Sequence, residues 1–198
     1  MLTRINFTPS LPVSPLPYLI DAQGWCPQVP QLPSPNFGSR PAHTRISLLV
    51  IHNISLPAGQ FETPYIVELF QNSLDCDAHP SFADLRDLKV SSHFLIRRNG
   101  LIQQFVSVLE RAWHAGLSQF QGRDGCNDFS IGIELEGTDD VPFEDAQYAS
   151  LQQLSAALIQ QFPIEHIVGH AEIAPGRKTD PGPYFDWLRY RLALGAWT

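Results

Sequence analysis

The stretch SIGIELEG, Ser130 to Gly137, sets Ile131, Ile133 and Leu135 in alternation with Gly132, Glu134 and Glu136. Successive side chains of a strand point to opposite faces, so this period of two puts the three aliphatic residues on one face and the two glutamates on the other. A strand with an apolar face needs another layer over it. The rest of the chain offers the partners. ISLLVIHN, Ile46 to Asn53, is a short branched aliphatic run that reads as a buried strand ending near His52. In FLIRRNGLIQQF, Phe94 to Phe105, two apolar runs meet at Asn99-Gly100, a dipeptide whose tolerance of positive φ favours a hairpin. From Glu144 to Phe162 the period lengthens: Leu151, Leu154, Leu158 and Phe162 recur every three or four residues and glutamines fill the other side. Glu144 and Asp145 suit the positive end of that helix, and Pro163 stops it. IEHIVGH, Ile164 to His170, reads as a further short strand, and PYFDWLRYRLAL, Pro183 to Leu194, as a C-terminal helix. The expected fold is therefore α/β (α+β), with a single, mainly central β-sheet flanked by helices.

A chain of 198 residues suits one domain, and an apolar fraction of 43% makes it globular. Nine of the 17 prolines lie in the first 41 residues, where Arg4, Asp21 and Arg40 are the only charged side chains. Residues 1–41 read as an extended, proline-rich arm packed on the body, and residues 42–198 as the functional domain. A formal charge of −7 argues against a broad contact with nucleic acid or anionic lipid, which need a basic face. Prolines break up the N-terminal apolar residues and no run approaches a membrane span, so a cytoplasmic location is expected. Cys26, Cys76 and Cys126 are odd in number, far apart and without a CxxC pair, which suggests neither a disulfide framework nor a thiolate metal site. An acidic surface with no evident apolar stripe points to a monomer.

VGHAEIAPGRKTDPGP, Val168 to Pro183, fixes His170, Lys178 and Asp180 on a loop stiffened by proline and glycine. With His52 at a strand end, His170 and Asp180 make two imidazoles and a carboxylate, the three protein ligands of a catalytic zinc site that leaves a fourth position open. Spacing alone leaves a metal site and satisfied structural histidines both standing, because no compact HExxH motif is present. Glu134 or Glu136, on one strand face, could carry a proton between water and a leaving nitrogen. Gly132 beside them leaves room for a substrate or backbone to approach. Lys178 could place positive charge at a developing oxyanion. The long connection between His52 and His93 reads either as a lid or wall of the site or as a surface excursion. The turn GRDG, Gly122 to Gly125, lacks the lysine and spacing of a phosphate-binding loop.

VIHNISLPAGQF, SSHFLIRRNGLIQQ, RAWHAG, GCNDFSIGIELEGT, EDAQY and GHAEIAPGRKTDPGP, in that order, resemble the zinc-dependent N-acetylmuramyl-L-alanine amidases over about Ser47 to Leu192. The wording is nearest to the cytoplasmic AmpD type, which acts on 1,6-anhydro-muramyl peptides released in cell-wall recycling. The resemblance implies one Zn2+ per chain on His52, His170 and Asp180, with Glu134 as catalytic glutamate and Lys178 as catalytic lysine. It implies an anhydro-muropeptide substrate, and hydrolysis of the amide between anhydro-muramic acid and L-alanine. An amidase of intact peptidoglycan and a fragment sensor that does not cut are the alternatives.

Two positions depart from the pattern. Lys89 and Gly125 stand where the resemblance leads to arginines that meet stem-peptide carboxylates. Lysine keeps the charge without the bidentate fork and glycine keeps neither, with Arg123 the nearest replacement. Asn53 either donates to the substrate or closes the strand end. Trp113 either stacks on a sugar or fills the core. His93 and His114 match the family's motifs outside its ligand set, which suggests hydrogen bonding near the site. His43, His79 and His166 read as structural or exposed.

Overall fold

The computed structural model describes residues 17–195. Positions 1–16 of the proline-rich arm lie outside the described residues. Its strands are β1 (Phe37–Gly38), β2 (Leu48–Ile54), β3 (Phe94–Ile96), β4 (Ile102–Gln104), β5 (Arg111–Ala112), β6 (Gln119–Phe120), β7 (Arg123–Asp124), β8 (Ser130–Glu136) and β9 (His166–Gly169). Its helices are α1 (Tyr65–Phe70), α2 (Asp145–Gln161), α3 (His170–Ile173) and α4 (Trp187–Ala193), with short 3-10 turns at Pro80–Leu85 and Cys126–Asp128.

Five strands form one mixed sheet in the order β4-β3-β8-β2-β9. The two longest, β2 and β8, lie side by side and parallel at its centre, with Leu48 opposite Ser130 and His52 opposite Glu134. This register separates two faces. Leu49, Ile51, Ile131, Ile133, Leu135, Phe94 and Ile96 meet Leu151, Leu154 and Leu158 of α2 in the main core. His52, Gly132 and Glu134 belong to the opposite face, where Leu48 and Val50 pack with Ala115, Cys126, Phe129, Val168 and Ile173.

Alternation along β8 gives one face its two glutamates, yet all seven residues of the strand are buried. Loops between β5 and β8, together with α3, roof the second face, so charges there need partners. Glu136 has them: Oε1 accepts from Arg97 Nη1 at 3.0 Å and from the Glu62 N–H at 2.7 Å, and Oε2 accepts from the Arg98 N–H at 3.2 Å. The glutamines of α2 are not all on its wet side. Gln147 is fully buried; its Oε1 accepts from the Glu144 N–H at 3.0 Å, and its Nε2 donates to Glu136 O at 3.0 Å and Ile96 O at 3.3 Å. It thereby fixes the start of α2 to the ends of β3 and β8. The expected hairpin forms between β3 and β4, with Gly100 at φ 85°.

Residues 17–41 join the same body. Ile20, Cys26 and Val29 enter the main core, and β1 pairs with β5. Arg40 reaches furthest: Nη1 donates to Asn127 O and Asp128 O at 3.1 and 2.8 Å, and Nη2 to Val108 O and Ser130 O at 3.1 and 2.8 Å. Burial lowers its pKa to about 10, against the pull of Asp128. Three of these carbonyls tie the arm to the backbone entering β8, and the fourth, Val108 O, ties it to the segment before β5. Between β2 and β3 the long connection, through α1, builds a further cluster, with Ile66, Leu69 and Phe70 against Leu95 and Phe105. Among the described residues no helix is long and apolar enough to cross a membrane.

Candidate metal centre

Three ligand atoms meet at the C-terminal ends of β2 and β9. His52 Nδ1 lies 3.0 Å from His170 Nδ1 and 3.0 Å from Asp180 Oδ2, and His170 Nδ1 lies 3.1 Å from Asp180 Oδ2. His52 comes from β2, His170 opens α3 directly after β9, and Asp180 ends the loop beyond. The loop is closed on itself: the Ala171 N–H donates to Asp180 O at 3.0 Å, and the Arg177 and Lys178 N–H groups both donate to Ala174 O at 3.1 Å. His52 and His170 are 1% and 3% exposed, which leaves little water to stabilise charge there.

Donor and acceptor matching tests whether a cation fits. His170 Nε2 sits 3.1 Å from Ala115 O, a group that can only accept, so Nε2 carries the proton and Nδ1 presents a lone pair. His52 Nε2 faces His114 Nδ1 at 2.9 Å, which leaves His52 Nδ1 toward the triangle. Three acceptor atoms then converge with no proton among them, an arrangement that a cation stabilises. Tetrahedral coordination at about 2.0–2.1 Å separates neighbouring ligand atoms by about 3.3 Å, so the triangle is within a few tenths of an ångström of a zinc site. These residues are a possible metal-binding set. Burial lowers the His52 pKa to about 4, with the charge of the nearby Asp180 carboxylate opposing, and so keeps the ring neutral as a ligand must be. For Asp180 burial acts upward, but its place against the two imidazoles outweighs burial and holds the carboxyl below its usual range.

Glu134, the register partner of His52, is 8% exposed and its Oε2 has no hydrogen-bond partner. Burial, then repulsion from Asp180, pushes its carboxyl well above the usual range, with Lys178 opposing. A carboxylate so placed holds a proton more readily than a solvated one, which suits it to accept a proton and pass it on. Its neighbour on the same strand face, Glu136, has no such freedom, since its oxygens are spent on Arg97 and two backbone N–H groups. Lys178 is exposed at the rim of a cavity of about 350 Å³ that it lines with Asn53, Thr138, Asp139 and Asp180. The structure thus gathers His52, His170, Asp180, Glu134 and Lys178 at one place. A larger groove of about 730 Å³, lined by Glu62, Glu68, Arg97 and Gln103 among others, holds none of these five.

The remaining candidates fall differently. Asn53 Nδ2 donates to Asp139 Oδ1 at 2.7 Å and Pro181 O at 3.1 Å, so its amide holds the loop that bears Asp180. Trp113 is half-buried; its N–H donates to Ser91 Oγ at 3.2 Å and its carbonyl accepts from the Ser91 N–H at 3.1 Å. Lys89 is exposed before β3. His93 is fully buried, with Nδ1 accepting from the Gly132 N–H at 3.0 Å and Nε2 donating to Glu110 O at 3.1 Å. Gly132 does not leave room for a substrate: a Cβ there would lie 2.5–2.8 Å from the His114 ring. The support around that ring, from Ser130 and Asn127, escapes sequence reasoning, because each bond joins residues whose pairing no local pattern announces. The WH of RAWHAG is the one signal that pointed there.

A family model for N-acetylmuramoyl-L-alanine amidase matches residues 42–183, and the chain belongs to that family. Within it the likeness is to AmpD enzymes: the chain is 53% identical over 174 residues to the 1,6-anhydro-N-acetylmuramyl-L-alanine amidase AmpD of Escherichia coli (strain K12), covering 87% of this chain and 95% of that one. The crystal structure of a selenomethionine AmpD derivative superposes with a TM-score of 0.87 at 53% identity, covering 89% of this chain and 99% of the other. The E. coli amidase AmiD, solved with anhydro-N-acetylmuramic acid-L-Ala-D-gamma-Glu-L-Lys, is 38% identical over 80% of this chain and 62% of its own, with a TM-score of 0.56.

Proposed function

We propose that the protein is a cytoplasmic, zinc-dependent amidase of cell-wall recycling that hydrolyses the bond between the lactyl carbonyl of 1,6-anhydro-N-acetylmuramic acid and L-alanine. The observation that carries this reading is the convergence of three ligand atoms, 3.0–3.1 Å apart, beside a buried carboxylate oxygen without a partner. Likeness to AmpD enzymes over most of both chains supports the substrate. His52 Nδ1, His170 Nδ1 and Asp180 Oδ2 would hold the ion. Bound zinc supplies a Lewis acid that polarises the carbonyl and lowers the pKa of water toward about 7.

The chain's own groups complete the chemistry. Glu134 Oε2 takes the proton of the attacking water, and its raised pKa suits it to deliver that proton to the departing L-alanyl nitrogen. Lys178, at the cavity rim, places positive charge beside the oxyanion that forms on the carbonyl. Asn53 holds the Asp180 loop in register, and Trp113 and Lys89 remain candidates for contact with sugar and stem peptide. Glu134→Gln keeps shape and removes the proton carrier. Zinc content should be unchanged and turnover of anhydro-muramyl tripeptide should fall about 10²- to 10⁴-fold. Turnover within a factor of a few of wild type, with zinc bound, would reject this assignment.

A further inference from the structure

One hydrogen-bonded chain in the second face of the sheet is left unused by the mechanism. Ser130 Oγ donates to Cys126 O at 2.6 Å, and a carbonyl can only accept, so the hydroxyl proton is spent there. The contact between Ser130 Oγ and His114 Nε2, 3.0 Å, must then run from ring N–H to hydroxyl oxygen. With its proton on Nε2, His114 offers Nδ1 as an acceptor, and that nitrogen lies 2.9 Å from His52 Nε2. His52 is thereby the donor, its proton on Nε2 and its Nδ1 lone pair directed at His170 and Asp180. Each step forces the next. The ring that transmits the constraint is itself held: Asn127 Oδ1 accepts from the N–H groups of His114 and Ala115 at 3.1 and 2.8 Å, and Gly132 leaves no space beneath it.

We infer that His114, oriented by Ser130 and the Cys126 carbonyl, is a positioning residue that fixes His52 in its metal-ligating tautomer. His170 has the equivalent constraint directly from a backbone carbonyl, Ala115 O. His52 lies in the interior of a strand next to β8 and has no carbonyl in reach on that side, so a side chain relays the constraint instead. The inference rests on the metal reading above. Partners of this kind raise metal affinity, and their loss costs about 10- to 100-fold.

The test uses the full chain in metal-free and zinc-loaded form, as wild type, Ser130→Ala and His114→Phe. Long-range 15N–1H spectra of the metal-free protein report which nitrogen of His52 is protonated, and competition with a chromophoric chelator gives the zinc Kd. Wild type should show His52 protonated on Nε2. Ser130→Ala, which leaves His114 in place and frees its tautomer, should bring a second His52 population and weaken zinc about 10-fold; His114→Phe should weaken it up to about 100-fold. His114→Phe buries an unpaired N–H and can fail to fold, in which case Ser130→Ala decides. Wild-type His52 protonated on Nδ1, or Ser130→Ala with unchanged tautomer and zinc affinity, overturns the inference. Wild type that takes up no zinc refutes the metal reading instead, and the tautomer spectrum distinguishes the two failures.

Discussion

Replacing Gly132 by alanine adds one methyl group at the most confined point of the site. The new Cβ would lie 2.5 Å from His114 Cγ, 2.6 Å from Nδ1 and 2.8 Å from Cδ2. Ordinary carbon contacts need about 3.5–4.0 Å, so ring or strand must move by about 1 Å. The ring has little slack, because Nδ1 is 2.9 Å from His52 Nε2 and Nε2 is 3.0 Å from Ser130 Oγ. Overpacking costs about 1–3 kcal/mol, and a buried hydrogen bond left broken adds about 1–3 kcal/mol. Against this, alanine in place of glycine recovers about 0.5–1 kcal/mol of backbone entropy. The net expectation is about 2–4 kcal/mol of destabilisation in urea unfolding of the metal-free protein. Zinc affinity should fall as well, by about 10-fold or more, because the displaced ring is the partner of His52. Gly132→Ala within about 0.5 kcal/mol of wild type, a usual spread for harmless changes, would refute the packing argument. Lower stability with unchanged zinc affinity would refute the link to His52.

Three further outcomes follow from the same geometry. Glu136→Leu should lower stability by about 3 kcal/mol or more in denaturant titration, because it strands Arg97, 12% exposed, without its partner; a near-neutral result would mean that the pair is not structural. In the metal-free protein Glu134→Gln should be more stable than wild type at pH 7. The folded-state pKa of Glu134 is raised, mainly by burial, so folding binds a proton and wild-type stability falls as pH rises above the unfolded value. The advantage of the glutamine variant should therefore shrink as pH falls toward that value, and an advantage that grows in acid would contradict the sign. Asn53→Ala should raise the zinc Kd about 10-fold, with little loss of global stability, by releasing the hydrogen bonds to Asp139 and Pro181 that hold the Asp180 loop; equal affinity in a competition assay would show the loop to be held otherwise.

Much of the architecture was legible from periodicity. The alternation in β8, the aliphatic run of β2 and the leucine spacing of α2 each have a local cause, so a local pattern reveals them. The ligand set was legible only in part, since His52, His170 and Asp180 are of suitable types but come together through the parallel pairing of β2 with β9, which no spacing displays. Alternation could not separate Glu134 from Glu136. The difference lies in Arg97 and the backbone of residues 62 and 98, partners brought in by the long connection and the hairpin. Gly132 reads in the sequence as room for a substrate or backbone to approach, whereas the room is taken by the His114 ring, a side chain 18 residues away that no local pattern points to. Arg40 carried no signal at all: a lone arginine in a proline-rich segment gives no hint that four carbonyls await it.

The central claim is that this chain is a metal-dependent amidase of soluble muropeptides. Release of L-alanyl peptide from anhydro-muramyl tripeptide should be measured with zinc-loaded, chelated and zinc-restored protein, beside solubilisation of intact murein. The account predicts rapid cleavage of the soluble fragment, loss on chelation, recovery with zinc and little action on the polymer. Cleavage that ignores chelation, preference for intact murein, or binding of the fragment without cleavage would contradict it.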